Sequence, residues 1–200
     1  MSAKPFLLYL HGFLSSPRSQ KAEQTLHYCE KIGLGNNIAV PTLRHGPARS
    51  IAELRTLIED KAGHGVMLMG SSLGGYYATC LAEEYDLPAV LINPAVRPFE
   101  FWQTHVGEHR NFHTDEIHRV TEDHIDELRQ LDKSPLSRPE NFRVYLQTGD
   151  ETLDFRQAVS KFGEAHCIVR DNGNHSYENY VSELPAMFDF LLSRIGHSVR

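Results

Sequence analysis

The sequence predicts an α/β domain in which helices cover both faces of a parallel sheet. Short apolar segments alternate along the chain with longer segments whose apolar residues recur at helical spacing, as in βαβ units. The short segments are continuously apolar rather than alternating, as expected for strands buried on both faces. The length of 200 residues and the hydrophobic content of 40% favour one core. We therefore expect residues 1–200 to form a single domain.

The elements can be assigned in order along the chain. The predicted strands are Phe6–His11, Asn37–Val40, Val66–Gly70, Ala89–Asn93, Phe142–Thr148 and Ala165–Arg170. The predicted helices are Arg18–Ile32, Arg49–Lys61, Leu73–Tyr85, Phe155–Phe162 and Tyr177–Ile195. Proline lacks the amide hydrogen that a helix interior uses, so Pro185 should kink or divide the last helix.

One long segment interrupts this alternation between the fourth and fifth strands. Residues 97–138 are rich in histidine, acidic and aromatic residues, and we interpret them as a cap inserted over the sheet. Helical propensity at Glu122–Leu131 predicts a helix within the cap, and Pro135 and Pro139 mark the return to the core.

Charge and composition exclude several classes of function. The net charge is -6, and the lysines and arginines are scattered among acids, so no basic stripe for nucleic acid is present. The apolar stretch Phe6–Leu10 is too short for a signal-peptide core or a membrane span, so we expect a soluble, cytoplasmic protein without stable membrane insertion. Cys29, Cys80 and Cys167 are far apart and form no CxxC pair, which favours free thiols over a metal or disulfide site.

The first chemical motif lies directly after the third predicted strand. The sequence VMLMGSSLGG places an apolar strand before G-x-S-x-G, and only Ser72 has glycine both two residues before and two residues after it, at Gly70 and Gly74. This strand-turn-helix context is that of a nucleophile elbow, in which a strained turn exposes a serine hydroxyl above the sheet. We therefore predict Ser72 as a nucleophile.

A serine hydroxyl needs a base, and the base needs a group that orients it. In α/β-hydrolases the chain order is serine, acid, histidine, with each at the carboxyl end of a strand. Asp150 follows the fifth predicted strand and His175 follows the sixth, so both the order and the placement are met. Asp154 stands directly before the next helix, with Gln157 at its third position, and is predicted to cap that helix rather than orient His175.

Two backbone amides are candidates for stabilising an oxyanion. The amide of Leu73 opens the helix after Ser72, and the pair His11-Gly12 at the end of the first strand resembles the turn that supplies a second amide, here from Phe13. His11 itself is predicted to brace this loop rather than to move protons.

Several longer strings resemble the small bacterial YqiA/YcfP esterases over almost the whole chain. They are LLYLHGFLSSPRS (7–19), GSSLGGYYAT (70–79), NPAVRPFE (93–100), LQTGDETLDFRQAV (146–159) and GNHSY (173–177). The resemblance implies an α/β-hydrolase fold with strand order 2-1-3-4-5-6, hydrolysis of carboxylic esters and acyl-CoA thioesters, and no metal or organic cofactor. It places Ser72, Asp150 and His175 at the triad positions. The match is weakest over residues 101–137, so it does not define an acyl pocket.

The cap itself offers two further hypotheses. Its aromatic residues, among them Phe99 and Trp102, could contact a substrate or could only anchor the cap to the core. His105, His109 and His113 fall at helical spacing and could bind a transition metal, but Gly107 weakens a helix there, so a solvated histidine-rich cap is preferred and no metal site is predicted.

Other classes of protein remain as alternatives to an esterase. Arg44-His45-Gly46 mimics the RHG motif of histidine phosphatases, although that motif should end the first strand and here follows the second. A non-catalytic binding module on a hydrolase fold is also open, because fold alone does not establish activity. The sequence leaves the acyl-chain length, the preference for ester or thioester, and the oligomeric state undetermined.

Overall fold

The protein is described here by a computed structural model, which covers residues 4–43, 46–111 and 115–195. The strands are β1 (Phe6–Leu10), β2 (Ile38–Ala39), β3 (Val66–Ser71), β4 (Ala89–Ile92), β5 (Gly107–Arg110), β6 (Ile117–Val120), β7 (Phe142–Gln147) and β8 (Cys167–Arg170). The α-helices are α1 (Gln20–Lys31), α2 (Pro47–Glu59), α3 (Leu73–Tyr85), α4 (Pro98–Phe101), α5 (Glu122–Gln130), α6 (Phe155–Phe162) and α7 (Tyr180–Ile195). The predicted α/β class is thereby confirmed.

Six strands form one parallel sheet in the order β2-β1-β3-β4-β7-β8. Counted along the chain without the cap strands, this is the predicted order 2-1-3-4-5-6. In a parallel sheet all strands end at the same edge, so the loops after β1, β3, β4, β7 and β8 lie next to one another at this edge. The residues that the sequence singles out lie in these loops.

Side chains that alternate along the central strands build two cores. Leu8, Leu68 and Leu91 face the core on which α2, α3 and α6 pack. Their neighbours, including Leu7 and Met67, face the second core, on which α1 and α7 pack. Because both faces of the sheet are covered, the central strands are apolar throughout, as the sequence pattern predicted.

The last helix differs from its prediction in two ways. It begins at Tyr180 rather than Tyr177, because Tyr177 and Asn179 have φ angles of 66° and 60°, which an α-helix cannot contain. It also runs through Pro185 without division, so the divided form of the prediction is wrong. Pro185 lies near the helix start, where its missing amide removes only a single bond to the Val181 carbonyl.

The cap contains the predicted helix, α5, and also a β-hairpin that the sequence did not predict. Strands β5 and β6 pair antiparallel, from Gly107 opposite Val120 to Arg110 opposite Ile117. His105 lies in a 3-10 turn and His109 on β5, so these two residues do not share a helix, in agreement with the expectation that Gly107 weakens a helix there. His113 lies outside the described residues. No group of three or more potential metal ligands occurs in the described part of the chain.

No helix within residues 4–43, 46–111 and 115–195 has both the length and the apolar character needed to cross a bilayer.

Candidate active site

Ser72 lies in the sharp turn between β3 and α3, with φ 55° and ψ −123°. This conformation is strained for a residue with a side chain. The turn is held by backbone hydrogen bonds, in which the Ser72 N–H donates to the Ile92 carbonyl at 3.2 Å and the Ser72 carbonyl accepts from Gly75 at 2.9 Å and Ala95 at 3.0 Å. The surrounding backbone thus fixes Ser72 in this conformation.

The two glycines of the motif make the turn possible. A Cβ atom on Gly70 would overlap the Gly74 carbonyl, and a Cβ atom on Gly74 would overlap the carbonyl of Leu10 at the end of β1. Both positions therefore need glycine because the turn and the neighbouring strand approach each other through backbone atoms.

The structure brings Ser72, His175 and Asp150 together in one hydrogen-bond chain. Ser72 Oγ lies 3.0 Å from His175 Nε2, and His175 Nδ1 lies 2.8 Å from Asp150 Oδ2 and 3.0 Å from Oδ1. The Asp150 side chain is 3% exposed and that of His175 is 22% exposed. A buried carboxylate beside one ring nitrogen and a hydroxyl beside the other is an arrangement in which the ring can accept the hydroxyl proton.

The two oxygens of Asp150 have different partners. Oδ1 also accepts the backbone N–H groups of Thr152 and Leu153, each at 2.8 Å, whereas Oδ2 has His175 as its one hydrogen-bond partner among the described residues. The loop after β7 therefore fixes the plane of the carboxylate, and this plane fixes the orientation of the His175 ring.

The other two acids of this loop have different contacts. Asp154 caps α6 through the backbone N–H of Arg156 at 3.0 Å and pairs with the guanidinium of the same residue. The predicted helix-capping contact of Asp154 is confirmed. Glu151, which lies between Asp150 and Asp154 in the chain, accepts the His175 backbone N–H at 2.9 Å, and this bond lowers the pKa of Glu151 from its ordinary value.

Two amide side chains that the sequence analysis missed position the His175 loop. Asn93, just after β4, donates from Nδ2 to the Asn174 carbonyl at 3.0 Å and accepts the Gln147 backbone N–H at 3.0 Å. Gln147, at the end of β7, accepts N–H groups from Asn174 at 3.1 Å and Glu178 at 2.9 Å and donates to the Glu178 carbonyl at 3.0 Å. A polar residue that ends an otherwise apolar strand was the available signal at both positions.

The loop after β1 lies directly against Ser72. A Cβ atom on Gly12 would be 3.2 Å from the Ser72 Cβ. His11 braces this loop, because its Nε2 accepts the Leu43 N–H at 3.3 Å and its Nδ1 lies 2.9 Å from the Gly12 carbonyl. Within the described residues, the N–H groups of Phe13 and Leu73 have no hydrogen-bond acceptor, so both are free to bind a ligand oxygen.

A largely apolar cavity of about 420 Å³ opens above Ser72 and His175. Its apolar wall combines loop and cap residues, namely Phe13, Leu73, Val96, Phe101, Trp102 and Leu153. Trp102 is buried and packs on Phe13 with 4.8 Å between the ring centroids. Phe99 is absent from the wall of this cavity, because it packs against the core and lies 5.6 Å from the guanidinium of Arg129.

The cap histidines pack against the same wall rather than facing only solvent. The rings of His109 and His118 meet the ring of Phe13 edge-on, at 5.8 Å and 6.2 Å, and His118 is buried. His105 stacks on Phe101 at 4.0 Å. The predicted solvated histidine-rich cap is therefore a packed aromatic layer at the rim of the cavity.

The phosphatase-like motif falls largely outside the part of the chain that is described. Arg44 and His45 belong to the residues left undescribed, whereas Gly46 directly precedes α2 and follows the second strand, not the first.

The chain was compared with protein-family models and with solved structures. The model of the uncharacterised protein family UPF0227, which is YqiA/YcfP-like, matches residues 6–192. The chain belongs to this family. The resemblance stated from the sequence is thereby confirmed, and the match spans every strand and all but the end of α7.

Solved structures of α/β-hydrolases share the fold of this UPF0227 member. Est1E from Butyrivibrio proteoclasticus is 12% identical with a TM-score of 0.70, covering 98% of this chain and 90% of the other. The α/β-hydrolase domain-containing protein 10 from mouse is 17% identical with a TM-score of 0.68, covering 96% and 90%. An esterase from Pyrococcus furiosus is 13% identical with a TM-score of 0.59, covering 94% and 82%. These likenesses establish the α/β-hydrolase fold.

Proposed function

We propose that this UPF0227 protein is a serine ester hydrolase with Ser72 as nucleophile, His175 as general base and Asp150 as the orienting acid. The observation that carries the proposal is the continuous chain from Ser72 Oγ to His175 Nε2 at 3.0 Å and from His175 Nδ1 to Asp150 Oδ2 at 2.8 Å, with Ser72 on a strained turn. Nucleophile, base and orienting group in hydrogen-bond contact are the requirements of acyl transfer.

The proposed reaction proceeds through an acyl-enzyme. His175 takes the Ser72 proton while Oγ attacks the carbonyl carbon, and the N–H groups of Phe13 and Leu73 bind the carbonyl oxygen as it becomes an oxyanion. His175 then gives the proton to the leaving oxygen, and the bond to the leaving group breaks. Water, deprotonated by the same ring, releases the acyl group from Ser72. None of these steps requires a metal or an organic cofactor.

The cavity above Ser72 favours a small-molecule ester with an apolar acyl group. Phe13, Trp102 and Leu153 contribute to its apolar wall, and its volume of about 420 Å³ is that of a small-ligand site. Acyl thioesters are the second substrate class that the family resemblance suggests. Hydrolysis rates of matched oxygen esters and acyl-CoA thioesters of graded chain length would distinguish the two classes and give the preferred acyl length.

The decisive experiment compares Ser72→Ala with Ser71→Ala. Ser71 is the neighbouring hydroxyl, but it is the last residue of β3 and is not part of the hydrogen-bond chain with His175. We expect wild type and Ser71→Ala to hydrolyse p-nitrophenyl acetate and to react with a fluorophosphonate probe. Ser72→Ala should lose labelling and nearly all hydrolysis, a loss of about 10⁶ in kcat in the best-studied serine hydrolase.

The outcomes separate the competing classes of protein. A folded wild type that neither hydrolyses esters nor takes the probe would indicate a non-catalytic binding module. Equal loss of activity in both serine variants, with folding intact by circular dichroism, would contradict the assignment of Ser72. Turnover of phosphomonoesters that depends on His45 would instead indicate a phosphatase.

A further inference from the structure

A second, smaller cavity of about 160 Å³ adjoins the same pair of residues, Ser72 and His175. We call it the polar chamber. It shares Phe13, Ser72 and His175 with the apolar cavity, and its other residues belong to β1, the loop after β1, the end of β3, the start of α1 and the loop that carries His175. The scissile bond of an ester at Ser72 would therefore lie at the junction of two cavities.

The chamber differs from the apolar cavity in chemistry. Apart from Gly12, the residues that line only the chamber are polar, namely Tyr9, His11, Lys21 and the serines Ser15, Ser19, Ser71 and Ser176. Lys21 contributes a cation, and the part of the wall that the structure describes contains no aspartate or glutamate. The apolar cavity, in contrast, has Glu100 and Asp154 in its wall. Only the chamber thus combines a positive charge with an absence of acidic side chains.

Lys21 lies in the first turn of α1, at the end of the helix that carries a partial positive charge. Its ammonium donates to the Ser176 carbonyl at 2.8 Å, which leaves further N–H groups for a ligand. Burial lowers the pKa of Lys21 to about 8, and the negative charge of Asp150 opposes this shift, so the group is still largely protonated at neutral pH.

Tyr9 is a further polar residue of the chamber wall. The side chain is completely buried, and its hydroxyl has no hydrogen-bond partner within the described residues. Burial raises the pKa of Tyr9, so the hydroxyl stays protonated and is a hydrogen-bond donor without an acceptor.

We propose that the polar chamber binds a carboxylate on the leaving group of the ester substrate, with Lys21 as its counter-ion. The proposal rests on the proposed hydrolase function. The acyl chain takes the apolar cavity, so the leaving group lies on the other side of Ser72, where His175 can protonate its oxygen. Among the described residues, the chamber wall has one lysine and no arginine, which fits a monoanion better than a dianionic phosphate. The substrate class is therefore an acylated hydroxy acid, which is cleaved to a fatty acid and a free hydroxy acid.

The test uses two acetyl esters of nearly equal shape, acetoxyacetate and acetoxyacetamide, whose leaving groups differ only in charge. We measure kcat/KM by acetate release for wild type, Lys21→Met and Lys21→Arg. Lys31→Met, at the exposed far end of the same helix, is the matched control. Wild type and Lys31→Met should prefer the carboxylate by about 10- to 100-fold, the range for a hydrogen bond to a charged group.

Lys21→Met should abolish this preference while kcat/KM for the carboxamide stays within a few fold, and Lys21→Arg should retain part of it. An equal loss on both esters would overturn the proposal, because it would mean that Lys21 only positions the His175 loop through Ser176. The same comparison is made with the charge on the acyl group, by using phenyl succinate and phenyl succinamate. A preference for the carboxylate that depends on Lys21 only in this second pair of esters would also overturn the proposal.

A binding measurement separates this proposal from the hydrolase function. Glycolate and glycolamide are titrated into Ser72→Ala by ligand-observed NMR, with and without Lys21→Met. Binding of glycolate that Lys21→Met abolishes would support the chamber even if no ester is hydrolysed. Equal binding of glycolate by both variants would refute it even if ester hydrolysis is established.

Discussion

Replacing Asp150 by asparagine tests the proposed orientation of His175 with the smallest change in shape. Oδ1 of Asp150 accepts two backbone N–H groups, from Thr152 and Leu153, and these donors require an oxygen at that position. The asparagine oxygen should therefore occupy the Oδ1 site, which places the NH₂ group at the Oδ2 site, 2.8 Å from His175 Nδ1.

This placement determines the tautomer of the ring. An NH₂ group at 2.8 Å donates to Nδ1, so Nδ1 must be the unprotonated nitrogen and Nε2 must carry the hydrogen. A protonated Nε2 donates to Ser72 Oγ and cannot accept its proton. By analogy with the same substitution in a serine protease, kcat should fall by about 10⁴, which corresponds to about 5 kcal/mol of activation free energy.

Asp154→Asn is the matched control in the same loop. Asparagine caps a helix about as well as aspartate, and the exposed pair with Arg156 is screened by water, so kcat should stay within a few fold of wild type. Rates are measured with p-nitrophenyl acetate, and folding is checked by circular dichroism. The reasoning is refuted if folded Asp150→Asn keeps more than a tenth of the wild-type kcat, or if Asp154→Asn is the inactive variant.

Three further predictions concern the supports of the site. Gln147→Leu removes three partly buried hydrogen bonds next to the His175 loop. It should lower the free energy of unfolding by about 3 kcal/mol in urea denaturation, and an unchanged value would contradict the assigned role. Trp102→Ala should reduce kcat/KM for a p-nitrophenyl octanoate about tenfold more than for the acetate; equal losses would show that Trp102 does not contact the acyl chain. The pKa of Lys21 is about 8 in the folded protein against an ordinary value of 10.5, so between these pH values the unfolded chain binds one more proton at this side chain than the folded protein does. The free energy of unfolding of wild type should therefore rise relative to that of Lys21→Met between pH 8 and pH 10, and a difference that stays constant over this range would refute the shift.

The sheet and the three triad candidates could be predicted because their signals are local. A continuously apolar segment indicates a strand buried on both faces, and the carboxyl end of such a strand indicates where a loop residue such as Asp150 or His175 will lie. The last helix was predicted to begin at Tyr177 but begins at Tyr180, because Tyr177 and Asn179 have left-handed backbone, which is unusual for an aromatic residue such as Tyr177.

The parts that were missed depend on contacts between distant segments. Asn93 and Gln147 act through each other and through residues 174–178, a pairing that appears only when β4 and β7 are adjacent. The β5-β6 hairpin consists of short, mostly polar strands that pair with each other, so the sequence contains no apolar pattern that would predict them. The aromatic residues of the cap were expected either to contact a substrate or to anchor the cap, and the sequence could not show that Trp102 lines the cavity while Phe99 packs on the core.

Positioning of the site depends on direct contacts between loops from five strands. The loop after β1 contacts Ser72 through Gly12, and a Cβ atom on Gly149, after β7, would overlap the carbonyl of Gly173, after β8. Such backbone contacts leave little freedom for a hydrogen-bond chain that must be held within about 0.5 Å. The side chains of Asn93 and Gln147 add directed bonds at the same junction. We therefore expect substitution of Gln147, which touches none of the reacting atoms, to reduce activity more than substitution of exposed residues that lie much closer to the rim of the cavity.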